Sequence, residues 1–165
     1  MAYTLEQVRG LTVNDVMNNG VLAADADWSL DRLAGFLVDN NISGAPVTGN
    51  NGELLGVVSL TDIVRQNQTP DTRPQADEAH DVYRLELEHY ISQEELAVFH
   101  TEYESPVAVR DIMTPTLFSV SEHTPLQEVA DMMLKRGIHR VFVTRDARLT
   151  GIVTTLDMLQ VIRDI

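Results

Sequence analysis

Two stretches decide how this chain folds: Gly56-Val57-Val58-Ser59-Leu60-Thr61-Asp62 and Gly151-Ile152-Val153-Thr154-Thr155-Leu156-Asp157. Both read Gly-x-Val-Ser/Thr-x-x-Asp. A β-rich run ends on a hydroxyl residue, and a carboxylate follows three positions later, the pattern of a strand passing into a capped helix. The likeness extends outward from both. Val13 to Arg65 lies on Val109 to Gln160 at an offset of 96, then 95 after one gap. Val13/Val109, Asp15/Asp111, Met17/Met113, Leu30/Leu126, Ala34/Ala130, Ile42/Ile138, Val47/Val143, Thr48/Thr144, Leu54/Leu149, Gly56/Gly151, Val58/Val153 and Asp62/Asp157 coincide. Self-similarity of this kind is the mark of an internal duplication.

Each copy reads as a short Val-x-Asp-Val/Ile-Met turn, a short apolar strand, a helix, two further strands and a last helix, a βαββα order within an α+β class. In the second copy Thr124-Pro125-Leu126-Gln127 predicts a helix start, with Thr124 as N-cap, Pro125 at the first helical position and Gln127 closing a capping box. Leu126, Val129, Ala130, Met133 and Leu134 then share one helix face. Val141-Phe142-Val143 and Leu149 to Val153 form a hairpin about the polar turn Arg145-Asp146-Ala147, which is Gly49-Asn50-Asn51-Gly52 in the first copy. A unit of about fifty residues buries too little surface to stand alone comfortably, so the two motifs should pack together about a pseudo-twofold axis with a cleft between them.

The segment between the copies differs in kind. Gln66 to Ser105 holds ten acids and two arginines, net −8, leaving −5 for the remainder. It opens as a turn or linker, and from about Asp77 its apolar residues Val82, Leu85, Leu87, Ile91, Leu96, Phe99 and Tyr103 recur helically, with a second capping box at Ser92 and Glu95. The domain reading is a first motif over 1–68, an acidic helical insert over 69–105 and a second motif over 106–165.

With the Val/Ile-Met element and the Ile-Ser-Gly-Ala-Pro-Val and Ile-His-Arg-Val-Phe-Val strands, both halves resemble cystathionine-β-synthase-type (CBS) domains. The resemblance implies a tandem CBS pair, or Bateman module, that binds adenosine-containing ligands between its motifs and signals to a partner. Ser59, Thr61 and Asp62 in the first copy, and Thr154 and Asp157 in the second, match the positions that contact ribose in the family. A carboxylate can accept both hydroxyls of a vicinal diol. The same spacing is also a plain helix cap, and both readings stand at this level. Leu156 departs from the pattern, because Thr61 has no hydroxyl counterpart there.

The resemblance further implies an adenine slot lined by Met17, Leu22, Ile42, Ser43, Gly44, Ala45 and Pro46, and by Met113, Thr114, Phe118, Ile138 and Val141. It assigns phosphate contact to His139 and Arg140, which stand where the first copy has Ser43 and Gly44. A guanidinium grips phosphate bidentately, and bases are scarce, Lys135 being the sole lysine. Arg136 is a further candidate near such a site. Which ribose carboxylate shares a site with Arg140 is left open.

The bulk numbers narrow the function classes. The chain has 165 residues, 44% hydrophobic and 22% charged, which fits a globular protein. Twenty-five acids against twelve bases give −13, a field that repels a phosphate backbone and argues against nucleic acid. No cysteine is present, so disulfides and thiol chemistry are excluded. No apolar run is long enough for a membrane span, and Glu6, Arg9 and Asp15 stand where a signal peptide would be apolar, so no membrane and a cytoplasmic site are expected. His80, His89 and His100 lack metal-ligand spacing, and no metal is expected. No nucleophile–base pair presents itself, and the expectation is a regulator rather than an enzyme. The resemblance implies no required cofactor, a regulatory ligand among AMP, ADP, ATP, S-adenosylmethionine and NAD, a homodimer, and a regulated protein partner that it does not name. The other reading is a ligand-free structural or interaction module working through the acidic insert.

Overall fold

The computed structural model describes residues 4–66, 106–115 and 118–165, and the insert helices expected between the repeats lie outside the described residues. The elements in chain order are α1 (Leu5–Arg9), β1 (Ala24–Asp25), α2 (Leu30–Asp39), β2 (Gly44–Thr48), β3 (Leu54–Ser59), α3 (Leu60–Gln66), α4 (Val109–Ile112), β4 (Thr114–Pro115), β5 (Ser119–Ser121), α5 (Leu126–Arg136), β6 (Arg140–Arg145), β7 (Arg148–Thr154) and α6 (Thr155–Arg163). A single 3-10 turn, Val13–Asp15, follows α1. The class is mixed α+β, and each repeat runs βαββα, as its sequence reads.

The described residues form two compact units, one of residues 4–21 with 118–165 and one of residues 22–66 with 106–115. In the second of these, the sheet order is β1-β2-β3-β4, with β1 parallel to β2 and the other pairs antiparallel. Its core gathers Ala24, Ala26, Leu33, Leu37, Ala45, Val47, Val58, Leu60, Ile63 and Val109. Trp28 packs edge-on against Phe36, ring centroids 5.1 Å apart, and Arg32 lies 4.4 Å over the indole.

The unit of residues 4–21 and 118–165 has the order β5-β6-β7, with β5 parallel to β6 and β6 antiparallel to β7. Phe142, Ile138, Val141, Val143, Val129, Met133, Val153 and Val13 fill its interior. The duplication reaches irregularities: a bulge falls at Val47/Thr48 in one hairpin and at Val143/Thr144 in the other, the same aligned positions.

Each unit is completed by the other repeat's Val-x-Asp-Val/Ile-Met segment. In one, Val13 and Asn14 donate backbone N–H groups to the carbonyls of Thr124 and Glu122, and Asn18 forms a two-way bridge with Ile152 beside β7. In the other, Val109 and Arg110 donate to the carbonyls of Trp28 and Ala26, and β4 pairs with β3. The two segments fold locally by one device: Asp15 Oδ2 accepts from Thr12 N–H and Asp111 Oδ2 accepts from Ala108 N–H, both at 2.8 Å. The valine after each cap is wholly buried.

Two local expectations are corrected. Pro125, not Thr124, is the N-cap of α5, and no side chain caps that helix. Thr124 instead turns its N–H to the Ser121 carbonyl and its own carbonyl to Val13, so docking of the N-terminal segment fixes it one residue outside the helix. Leu134 does not join the buried face of α5 and is 82% exposed. At 100° per residue it sits about 80° round from Leu126, at the margin of a stripe centred between Val129 and Ala130. The second hairpin turns on Asp146 and Ala147 alone, both at positive φ (49° and 64°), the requirement of a two-residue type I′ loop.

Candidate functional site

The two strand-to-helix junctions have the same geometry. Asp62 Oδ2 accepts from Ser59 N–H at 2.7 Å and from Ser59 Oγ at 2.9 Å. Asp157 Oδ2 accepts from Thr154 N–H and Thr154 Oγ1, both at 2.7 Å. Each helix start is tied back to the head of the neighbouring strand, Leu60 N–H to the Ser43 carbonyl at 2.9 Å and Thr155 N–H to the His139 carbonyl at 3.0 Å. At the α6 junction Thr154 Oγ1 also accepts from Asp157 N–H at 3.4 Å, closing a capping box. The hydroxyl proton of Ser59 or Thr154 is committed to its aspartate, so what each cluster still offers is lone pairs, a surface suited to a ligand that brings O–H or N–H donors. Ser59 and Asp62 are buried, while Thr154 and Asp157 are half-buried. Thr61 is half-buried beside its cluster and Leu156 is exposed beside the other.

Strand register places the phosphate candidate. Arg140 opens β6 directly opposite Thr154 on β7, and the matching pair in the first repeat is Gly44 opposite Ser59. Paired residues on neighbouring strands point to one face with Cβ atoms about 5 Å apart. Arg140 thus belongs to the same junction as Thr154 and Asp157, in the unit of residues 4–21 and 118–165. His139 and Arg140 are both half-buried. Arg136 stacks over Phe118, its guanidinium carbon 4.8 Å from the ring centroid, which brings a second cation to the same unit.

The adenine candidates divide between the units. Leu22, Ile42, Ser43, Gly44, Ala45 and Pro46 share one with Met113 and Thr114; Met17, Phe118, Ile138 and Val141 share the other. Ala45, Pro46, Ile138 and Val141 are buried, so their side chains are spent on packing. Leu22 is exposed, and Ser43 and Gly44 are half-buried at the head of β2.

Two features escaped the sequence reading. Gly56 and Gly151, the first residues of the repeated motif, are buried where the other repeat's Met segment crosses the strand: a Cβ at Gly56 would meet the Thr114 carbonyl, and one at Gly151 would sit 2.7 Å from Met17 Sδ and 3.2 Å from the Asn18 carbonyl oxygen. The motif glycine is a crossing point, which no local pattern announces. The other is Glu122, buried where most of the described acids are not. Arg145 Nε lies 3.0 Å from both its oxygens. The guanidinium holds its carboxyl below the usual carboxylate range, hydrogen bonding outweighing the opposing effect of burial. Among the described residues no group of histidines, cysteines and acids is placed to hold a metal ion, and His80, His89 and His100 lie outside them.

The CBS domain family model matches residues 13–68 and 109–164, the two repeats described above. The chain belongs to the CBS domain family. Among curated relatives, this CBS pair is 28% identical over 155 residues to an uncharacterized protein of Methanocaldococcus jannaschii, covering 91% of this chain and 90% of that one. It is also 28% identical over 155 residues to the chloroplastic CBS domain-containing protein CBSX2 of Arabidopsis thaliana, covering 88% of this chain and 60% of CBSX2. The structure of CBSX2 in complex with AMP superposes with a TM-score of 0.63 at 24% identity, over 93% of this chain and 97% of that one. A CBS domain pair solved with 5′-methylthioadenosine and S-adenosyl-L-methionine gives a TM-score of 0.58 at 22% identity, over 93% and 96%. At these identities the structural matches speak for the fold. No helix of the described residues is long and apolar enough to cross a membrane.

Proposed function

We propose that this CBS pair is a regulatory sensor of adenosine-containing ligands rather than an enzyme. The observation that carries the reading is the duplicated hydroxyl–carboxylate cluster at the strand-to-helix junctions, which presents acceptors to a ligand with two adjacent hydroxyl donors. Ribose is such a ligand. Ser59, Thr61 and Asp62 form one ribose site and Thr154 and Asp157 the other, with purine edges read by backbone groups at the heads of β2 and β6. The register of Arg140 against Thr154 supports a phosphate-binding role for His139 and Arg140 at the second site, with Arg136 adding positive potential. The second site therefore favours phosphorylated adenosines, and the first an adenosyl group without a phosphate. CBSX2 with AMP, and the pair holding 5′-methylthioadenosine and S-adenosylmethionine, are ligand precedents of these two kinds.

The proposed mechanism is linkage. A ligand that binds one arrangement of the module better than another shifts the balance between them, and a protein partner reads that shift from a cytoplasmic homodimer. The capping geometry favours a second reading, in which the aspartates serve only the helices and the acidic insert is the working surface. Asp62→Asn and Asp157→Asn separate the two, since an amide oxygen still accepts from the cap N–H while the negative charge and the second acceptor oxygen that hold both donors of a diol are lost. Calorimetric titration with AMP, ATP and S-adenosylmethionine should show binding to the parent and its loss, tenfold or more, in the variants at unchanged fold. Absence of binding in the parent would overturn the sensor reading.

A further inference from the structure

In each unit a methionine sulfur is seated on the motif glycine. Met17 Sδ lies 2.7 Å from where a Cβ of Gly151 would stand, and Met113 Sδ lies 3.2 Å from that of Gly56. The chain has six methionines and no cysteine, so thioethers carry all of its sulfur chemistry. Met17 and Met113 are half-buried, within reach of a small oxidant, whereas Met133 is 3% exposed. We infer that Met17 is a peroxide-oxidation site whose sulfoxide releases the N-terminal segment from β7.

In the step, a sulfur lone pair attacks one oxygen of hydrogen peroxide or an alkyl hydroperoxide. The O–O bond breaks and an S–O bond forms, and the departing oxygen takes the proton of the transferred hydroxyl and leaves as water or the alcohol. Sulfur is oxidised by two electrons and the peroxide is reduced by two. The product is a polar acceptor where an apolar group had packed. At Gly151 the next atom is the Asn18 carbonyl oxygen, itself an acceptor, 3.2 Å from the same Cβ position. A sulfoxide gains no donor from it and turns out to water, leaving the glycine uncovered. Two differences make Met17 more sensitive than Met113. The sulfur is the nearest atom at Gly151, whereas at Gly56 the Thr114 carbonyl comes first. The Met113 segment is also held by β4, paired to β3 at both of its residues. Among the described residues the Met17 segment meets β7 through one isolated bridge, Asn18 N–H to the Ile152 carbonyl at 2.9 Å and Ile152 N–H to the Asn18 carbonyl at 3.0 Å. Ile152 stands two residues before Thr154, so a loosened bridge reaches the hydroxyl–carboxylate cluster at the end of β7. A further consequence, which rests on the sensor reading, is weaker adenosine binding at Thr154 and Asp157 after oxidation.

Peptide mass mapping and residue-resolved amide exchange of the ligand-free full chain, before and after hydrogen peroxide, test the assignment. The expected result is sulfoxide at Met17 with Met133 intact, and about tenfold faster exchange of the Asn18 and Ile152 amides. Methionine sulfoxide reductases with a dithiol should reverse both. Met17→Leu keeps the volume without the oxidisable sulfur and should show no peroxide response at these amides. Met113→Leu, and Met158→Leu on α6, should keep the response. A folded chain whose Met17 stays unoxidised while the half-buried Met132 and Met158 react overturns the inference. So does a Met17 sulfoxide with unchanged exchange, or a response that survives Met17→Leu. Where Met17→Leu is itself loosened before treatment, reversal by the reductases in the parent decides. Titration with AMP reads the further consequence: a Kd about tenfold higher in the oxidised chain is expected, and an unchanged Kd overturns it. Failure of AMP to bind the untreated chain overturns the sensor reading, and the exchange result stands or falls by itself.

Discussion

Gly56 and Gly151 align in the repeat, and both are small because a chain segment crosses over them, but the obstacles differ. An added methyl at Gly56 meets backbone atoms of Thr114, which cannot yield without moving β4. At Gly151 it meets first the sulfur of Met17, the end of a flexible side chain. Gly56→Ala is thus expected to destabilise by about 1–3 kcal/mol and Gly151→Ala by clearly less, as read from urea unfolding midpoints. Glu122 gives a second prediction at this scale. Its folded pKa lies below its unfolded one, so the ion pair with Arg145 contributes stability above the ordinary carboxylate range, and that contribution is lost as pH falls through the folded pKa. Glu122→Gln should flatten the acid limb of melting temperature against pH while lowering the neutral plateau. An acid limb identical to the parent's would mean that other carboxylates govern it.

The hairpins and caps carry the element-scale argument. Asp146 and Ala147 both occupy left-handed backbone, which an aspartate tolerates and an alanine resists. Ala147→Gly relieves that strain without touching the core. It should stabilise by about 1 kcal/mol, raising the melting temperature by roughly 2–4 °C for a chain of this size. The cap of α6 is different, because Thr154 serves the helix and the proposed ribose site together. Thr154→Ala should cost about 0.5–2 kcal/mol in folding and also weaken adenosine binding. A folding loss with binding intact would assign Thr154 to the helix alone.

For the whole molecule, ligand binding is a stability statement. A ligand at 100 times its Kd adds about 2.7 kcal/mol, or roughly 5–10 °C at this length. Phosphorylated adenosines are expected to give that shift in the parent and lose most of it in Arg140→Ala, whose strand partner Thr154 carries the adjoining ribose contact. A shift retained in full by Arg140→Ala would move the phosphate end elsewhere. The difference between parent and Arg140→Ala should shrink as salt rises, since screening weakens the guanidinium–phosphate attraction that the substitution removes.

Sequence alone fixed the repeat, the βαββα order, the hairpins and the family, because those rest on local periodicity, turn chemistry and a motif written twice. The two aspartate caps at Asp62 and Asp157 were legible for the same reason, being made between residues three apart. Tertiary structure decided which segment completes which sheet: nothing local to Met17 says that it crosses Gly151, and nothing local to Met113 says that it lies over Gly56. It also decided that Glu122 is buried with Arg145, a pairing across 23 residues of chain, and that Arg140 stands opposite Thr154. Long-range docking buries apolar segments wherever complementary surface is offered, and that complementarity belongs to the assembled surfaces rather than to any window of sequence.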